Sequence, residues 1–428
     1  MADQKNLLLK NGIKYLGFFI LSIALLTGFL TVSALLPGDR IRENMHRSAE
    51  LVCEKDVFFN AIENIPASKI DRYADSIILN IAWNFDPADP LTSVMKAEFY
   101  DIFGQAENIN LLECLEKGYD ANLQYLRYWH GSAAVVRFLL LFTDLKGIYI
   151  LNGMIMILLT AALLFMLLKR KLYAPAAGFA AALISVSVWF VPFSLEYTWN
   201  FIIMLLSSVI AVSLELKGKA VPGYLFLAAG ILTNYLDFLT TETLTLLMPL
   251  ILVLYLRLIV SGRPLKEGRN FLISSSLLWG AGYSLTWVSK WGIAALVLKE
   301  NTLPYVTSYV EKWTGNDRSL SHLKLLTGAV TNNLSCLFPF GYDSGGIVLG
   351  IILIIALCYV LYVHGKKTDK KGALLLLLIA GLLPYVRYLV LKNHSYWHPF
   401  FTFRAQASTV LSLILIVFEK VRPFGRRR

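Results

Sequence analysis

Charge is what this chain is short of. Only 16% of its 428 residues are Asp, Glu, Lys or Arg, against 56% hydrophobic residues; soluble domains carry about 25% charge. A soluble globular domain is excluded. Cysteine is sparse too, at four residues, and none of the spacings that hold zinc is present. Cys53 and Cys114 share one polar stretch, which leaves a pairing between them open, while Cys358 lies in an apolar run and reads as packing. No internal repeat marks the two halves from which secondary transporters are commonly built. No small-residue cleavage site precedes Pro37, so the first apolar run reads as an anchor and not a signal peptide.

What the chain has instead is long apolar runs. Residues 14–36, 148–168, 173–193, 199–214, 271–289, 345–363, 372–391 and 405–417 approach or reach the ~20 residues that cross ~30 Å of hydrocarbon. Runs 221–235 and 244–260 are shorter and share a threonine-rich connection. The fold predicted is all-α, a polytopic transmembrane helical protein of about ten spans. It divides into a tail and first span (1–36), an external loop of amphipathic helices (37–147), and spans two to seven (148–289). A second external segment (290–344) and spans eight to ten with a basic tail (345–428) complete it.

Orientation follows from the cations. With the N-terminus inside, stretches 5–14, 169–171, 217–219, 257–269, 366–371 and 420–428 collect twenty-one Lys and Arg. The short outward turns near Glu196 and Asp237 carry none. This pattern predicts both termini inside. It also accounts for most of the net charge of +11, leaving nothing to argue for a nucleic-acid partner. Arg387, Lys392 and Arg404 are exceptions, because they flank an outward turn. A cation costs ~2.5–3.5 kcal/mol at the centre of a span and less toward its ends. Holding an anion would justify them; snorkelling to the headgroups is the plainer alternative.

Residues 37–146 hold seventeen Asp and Glu against eleven Lys and Arg, with too many apolar residues for disorder. In 41–64, Ile41, Met45, Ala49, Val52 and Phe59 recur at helical spacing, which suits a helix lying on lipid or on the tops of the spans. From 68 to 80, Ser68 is a candidate cap, and Ile70, Ala74 and Ile77 form one stripe. Asp71 and Asp75, four apart, then share a helix face and repel by a few tenths of a kcal/mol. A cation, a metal or a substrate hydroxyl between them would explain the pairing; a solvated face beside Arg72 is the alternative. Asp39, just past the first span, stands four before Glu43. Residues 83–90 form a Pro- and Asp-rich turn.

The loop closes on Arg127-Tyr128-Trp129-His130-Gly131. This is either an aromatic belt or a platform for a sugar or prenyl chain. Farther on, Asp237 and Glu242 sit at the outer ends of two short spans, where a carboxylate is a functional candidate or, for Asp237, a helix cap. Val306, Val310 and Trp313 suggest another interfacial helix. In Lys392-Asn393-His394-Ser395-Tyr396-Trp397-His398-Pro399 two histidines stand four apart. Pro399 breaks the helix that would bring them together on a metal, so an anion site with Arg387 and Arg404 is the better reading.

In the architecture of the whole chain, and in the segments Asp71–Asp75, Arg127–Gly131 and Asn393–His398, the protein resembles bacterial members of the GT-C superfamily, polytopic glycosyltransferases that use lipid-phosphate-linked sugars. The resemblance implies a bacterial plasma membrane, an extracytoplasmic active face, and a polyprenyl-phosphate sugar donor. The acceptor would be a cell-envelope glycan or a lipid-linked molecule. It also implies a catalytic carboxylate in the first external loop, often close behind the first span. Asp39 holds that position, while Asp71 and Asp75 form the clearer pair. The expected roles are Asp75 as base, with Asp71 orienting it or the two holding a divalent cation, Mg or Mn. Arg387, His394, His398 and Arg404 would hold the lipid phosphate; Trp129, His130, Asp237, Glu242 and Tyr396 would contact sugar or acceptor. A transporter or flippase of lipid-linked saccharides and a non-catalytic membrane assembly protein are the rival classes.

Overall fold

The computed structural model describes residues 2–315, 320–337, 344–365 and 368–421. Of the cations assigned to the inside, Lys366, Lys367, Arg422 and Arg426–Arg428 lie outside the described residues, as do 338–343 of the second external segment. Among the described residues the fold is all-α apart from one small hairpin. In chain order it runs α1 (Ala2–Ala34), α2 (Arg42–Cys53), β1 (Phe58–Asn60), β2 (Lys69–Asp71), α3 (Arg72–Trp83), α4 (Pro90–Lys96), α5 (Glu107–Lys117) and α6 (Gly131–Leu139). There follow α7 (Leu145–Lys169), α8 (Tyr173–Ser185), α9 (Leu195–Leu216), α10 (Gly223–Leu236), α11 (Leu244–Tyr255), α12 (Leu265–Leu298) and α13 (Leu303–Thr314). The chain ends in α14 (His322–Leu337), α15 (Ser344–His364), α16 (Lys371–Val390), α17 (Lys392–Trp397), α18 (Pro399–Thr402) and α19 (Ala407–Val421).

Each of the ten apolar runs falls on helical structure. Among the described residues, five stretches are long and apolar enough to cross a membrane: Gly12–Ala34, Leu145–Lys169, Leu195–Leu216, Lys371–Val390 and Pro399–Val421. Tyr173–Ser185, Gly223–Leu236, Leu244–Val260 and Gly350–His364 are apolar but shorter. Residues such as Ile157 and Leu158 on α7 are two-thirds exposed, which in water would be an aggregation liability and in lipid is a solvated face. The chain is therefore a helical protein built for a membrane.

Two apolar cores divide the molecule. One joins α8, α9, α11, α16 and α19 around residues such as Phe179, Phe201, Leu250 and Leu411. The other gathers the helices of the first external loop, with Met45, Ile78, Met95, Leu111 and Trp129 packed together against α1, α10 and α12. Ile41, Met45, Ala49 and Val52 are fully buried there, as their spacing predicts. The helix stops at Cys53, however, because Phe58–Asn60 pairs antiparallel with Lys69–Asp71, Phe58 opposite Asp71. Cys53 and Cys114 are both free, and their thiols rest on the carbonyls of Asn108 and Tyr119; the two do not pair.

Buried cations tie these helices together. Arg137 donates to the carbonyls of Ala82, Trp83 and Leu36, the ends of α3 and α1. Lys290, expected in an external segment, lies inside α12, which runs on to Leu298. Its ammonium donates to Val94 O at 3.2 Å and Met95 O at 2.8 Å, capping the orphan carbonyls at the end of α4.

Helices α10 and α12 touch backbone to backbone. A Cβ added at Gly230 would sit 2.2 Å from Trp279 O, and one at Gly282 would sit 2.5 Å from Leu227 O. Small residues at such a crossing let two membrane helices approach closely. Gly230→Ala should therefore push them apart and destabilise the protein by ~1–3 kcal/mol, read as a lowered melting temperature in detergent. An unchanged melting temperature would mean the helices are not packed this way.

Candidate functional site

The hairpin decides where Asp71 goes. Ser68 does not cap a helix; its hydroxyl donates to Ile65 O at 2.7 Å and accepts from Ile62 N at 2.9 Å. The chain stays extended to Asp71, which is itself the cap of α3, accepting from Ala74 N at 2.9 Å. Asp71 therefore stands outside the helix while Asp75 is in its first turn, and the two carboxylates do not share a face. They diverge to different partners. Asp75 accepts from the amide of Leu195 at 2.8 Å and from the Tyr149 hydroxyl. It is fully buried, at the N-terminus of α9, where the helix dipole favours negative charge.

That clamp brings the next residue, Glu196, to Asp71. The two carboxyl groups lie within hydrogen-bonding reach of each other. Ser194 adds a hydrogen bond to Asp71 O at 3.1 Å. Two carboxyl groups this close and shut away from water repel each other when both are charged. Burial raises the Asp71 carboxyl above the ordinary aspartate value.

Asp71 and Glu196 face a cavity of about 500 Å³. Arg127 from the first external loop, Lys312 from α13, and His394 and His398 from the last outward turn stand around the same space. Aromatic rings fill much of the remaining wall, among them Phe58, Tyr73, Tyr125, Trp313 and Phe401. Arg127 lies 4.6 Å over the Tyr128 ring and donates to the Tyr125 hydroxyl at 2.5 Å. The Trp313 ring meets His394 edge-on at 4.9 Å. His398 stacks on Phe401 at 5.4 Å. Burial, with Arg387 nearby, lowers His398 to about 4 and holds His394 well below the usual histidine value. Both rings are neutral at pH 7.

The acids behind the first span and the corner before the last one thus share one cavity, but with a different cast from the one expected. Asp71, His394 and His398 line it. Asp75 does not, because both its oxygens serve the start of α9 and Tyr149. Asp39 is on the surface, paired with Arg42 at 2.8 Å and 83% exposed along its side chain. Arg404 is fully buried, donating to Phe400 O at 2.9 Å and Ala67 O at 3.2 Å beneath the Tyr197 ring; it fastens the last corner to the first loop. Arg387 is paired with Glu242 at 2.8 Å. Asp237 closes its own turn by accepting from Thr240 N at 3.2 Å, and α11 starts only at Leu244 behind Thr243, so it does not cap that helix.

Trp129 donates to Thr286 O at 2.7 Å inside the core. His130 sits at φ 57 heading α6, with Nε2 donating to Tyr125 O at 2.8 Å; burial lowers it to about 3. The Tyr235 ring lies so close over Gly131 that a Cβ there would be 2.1 Å away. The Tyr396 ring covers Gly328 instead. The described residues include no group of three or more His, Cys, Asp or Glu placed to share a metal ion. An ion between Asp71 and Asp75 would have to displace Tyr149 and the α9 amide.

Glu196, Arg127 and Lys312 replace the residues that drop out. Glu196 was legible by the rule that singled out Asp237, a carboxylate at the outer end of a span. Lys312 precedes Trp313 on the predicted interfacial helix, but no spacing ties it to Asp71. Compared with family models, curated proteins and solved structures, the chain matches none.

Burial raises Asp75 to about 8 in spite of its two hydrogen bonds. An aspartate whose folded value lies above its unfolded value stabilises the fold in acid and loses that contribution as pH rises through the folded value. Melting temperature should fall from about pH 4 to about pH 8 and level off above that, and Asp75→Asn, which keeps an acceptor for Leu195 and a donor for Tyr149, should flatten that fall. A variant with the wild-type slope would rule this out.

Proposed function

We propose that the chain is a GT-C-type membrane glycosyltransferase that moves a sugar from a polyprenyl-phosphate donor to a glycan or lipid-linked acceptor. In this reading about ten helices span a bacterial plasma membrane, with both termini inside and the cavity on the extracytoplasmic side, as the cation pattern supports. One observation carries the chemistry. Two neighbouring buried carboxyl groups, Asp71 and Glu196, face Arg127, Lys312, His394 and His398 across one aromatic cavity.

Each part of that arrangement answers a need of the reaction. The acceptor hydroxyl must lose a proton as its oxygen bonds to the sugar's anomeric carbon. Asp71 takes it, and Glu196 beside it spreads the charge before transfer. A carboxylate raised by burial is a better base near neutral pH than one at its ordinary value. The bond from the anomeric carbon to the phosphate oxygen breaks, and its electron pair leaves with the phosphate. Arg127 and Lys312 offset that charge, and the neutral histidines offer N–H groups to the same oxygens. The oxocarbenium-like sugar gains from the nearby negative pair, and flat rings such as Trp313 and Tyr125 suit a sugar's apolar face. Should the donor bring a divalent cation, Asp71 and Glu196 are the carboxylates it meets.

Asp71→Asn, reconstituted in liposomes with a labelled polyprenyl-phosphate sugar, should transfer at least about a hundredfold more slowly than wild type. Asp75→Asn should stay near the wild-type rate. Equal rates for Asp71→Asn and wild type would end the proposal. Lys312→Met should weaken donor binding about tenfold, the order expected for losing one charged hydrogen bond, as measured by retention of the labelled lipid on immobilised protein.

A further inference from the structure

Arg387 and Glu242 are the most deeply committed ion pair of the outer face, and neither lines the cavity. The pair forms part of the wall of a second hollow of about 370 Å³, otherwise lined by apolar side chains such as Leu246, Tyr283, Trp287, Val386 and Val390. Charges in such surroundings are a poor way to hold helices together. Apolar packing of the same volume usually does as well or better. Something other than stability is needed to explain them.

The guanidinium's contacts supply it. Nε donates to Glu242 Oε1 at 2.8 Å, Nη1 to Ser395 Oγ at 3.0 Å, and Nη2 to Leu239 O at 2.6 Å. Nη2 also stands 3.3 Å from Nδ1 of His394. An arginine has five N–H donors and no acceptor, so His394 Nδ1 must present its lone pair to it. The remaining ring proton of a neutral histidine is then on Nε2. Burial and the adjacent Arg387 charge keep the ring neutral. Glu242 fixes the arginine, the arginine fixes the tautomer, and Trp313 at 4.9 Å limits the ring's rotation.

We infer that the Glu242–Arg387 pair is a positioning device. It holds His394 as a neutral Nε2–H donor to a phosphate oxygen in the cavity, and Arg387 does not itself touch the ligand. This rests on the phosphate reading of the cavity for the ligand, but not for the tautomer. Arg387 therefore acts through His394, and its removal matters only while His394 is there to be misdirected.

Two measurements on the full chain in nanodiscs test this. In ¹⁵N-histidine-labelled, ligand-free protein, with His394 assigned by its loss in His394→Gln, Nδ1 should resonate as an unprotonated, pyridine-type nitrogen and Nε2 as a protonated one. Arg387→Met should scramble the two tautomers. Glu242→Gln, which keeps the volume, should do so in part, and it serves where Arg387→Met fails to fold. Decaprenyl phosphate affinity should then fall about ten- to a hundredfold for Arg387→Met, and no further when Arg387→Met is added to His394→Gln. A proton on Nδ1 in the wild type overturns the inference, as does an Arg387→Met penalty of equal size with and without His394. The tautomer signals need no sugar transfer, so loss of the transferase reading would register separately.

Discussion

The hydrogen bond from the Leu195 amide to Asp75 decides where the external helices stand on the membrane bundle. It joins the first turn of α3 to the first residue of α9, and both ends are inaccessible to water. Everything at the site follows from that alignment. With residue 195 held on residue 75, Ser194 reaches the backbone of Asp71 and Glu196 reaches its side chain. A carboxyl placed on a helix N-terminus gains from exposed amides and from the dipole, which offsets a part of the cost of burying it while burial still dominates. The acid with the better-looking credentials in the sequence is thus the one that builds the site, and its neighbour lines it.

The membrane helices were legible because long apolar runs have one physical solution in lipid, and every run fell on helical structure. The amphipathic helices of the first loop were legible for the same kind of reason: Ile41, Met45, Ala49 and Val52 return every turn and bury together. What periodicity does not carry is where a helix begins. Ser68 and Asp71 are both good caps, and the choice was made by a three-residue strand pairing with Phe58, a contact with no signal in spacing. That shift took Asp71 and Asp75 off a common face. Nor does an apolar window reveal a buried cation that continues a helix, so α12 extends past Lys290.

The cations at the outer end illustrate a division of labour that sequence alone does not separate. Arg404 reads as an anion ligand in the sequence, yet it, like Arg137 and Lys290, points at carbonyl oxygens and binds parts of the chain to one another. Unsatisfied carbonyls at helix ends are expensive where water is scarce, and a long cationic side chain reaches several at once. Arg127 and Lys312 differ in lying beside aromatic rings at the cavity, over Tyr128 and Trp313.

Helix α13 contributes Tyr305, Lys312 and Trp313 to the cavity, while Leu303 and Val310 on the same helix face outward, 63% and 51% exposed. A helix of this pattern settles where headgroups meet hydrocarbon. In a bilayer, lipid would back that side of the cavity. Its roominess becomes a property of the surrounding lipid, varying with leaflet thickness and headgroup crowding, while the opposite side stays fixed to rigid helices.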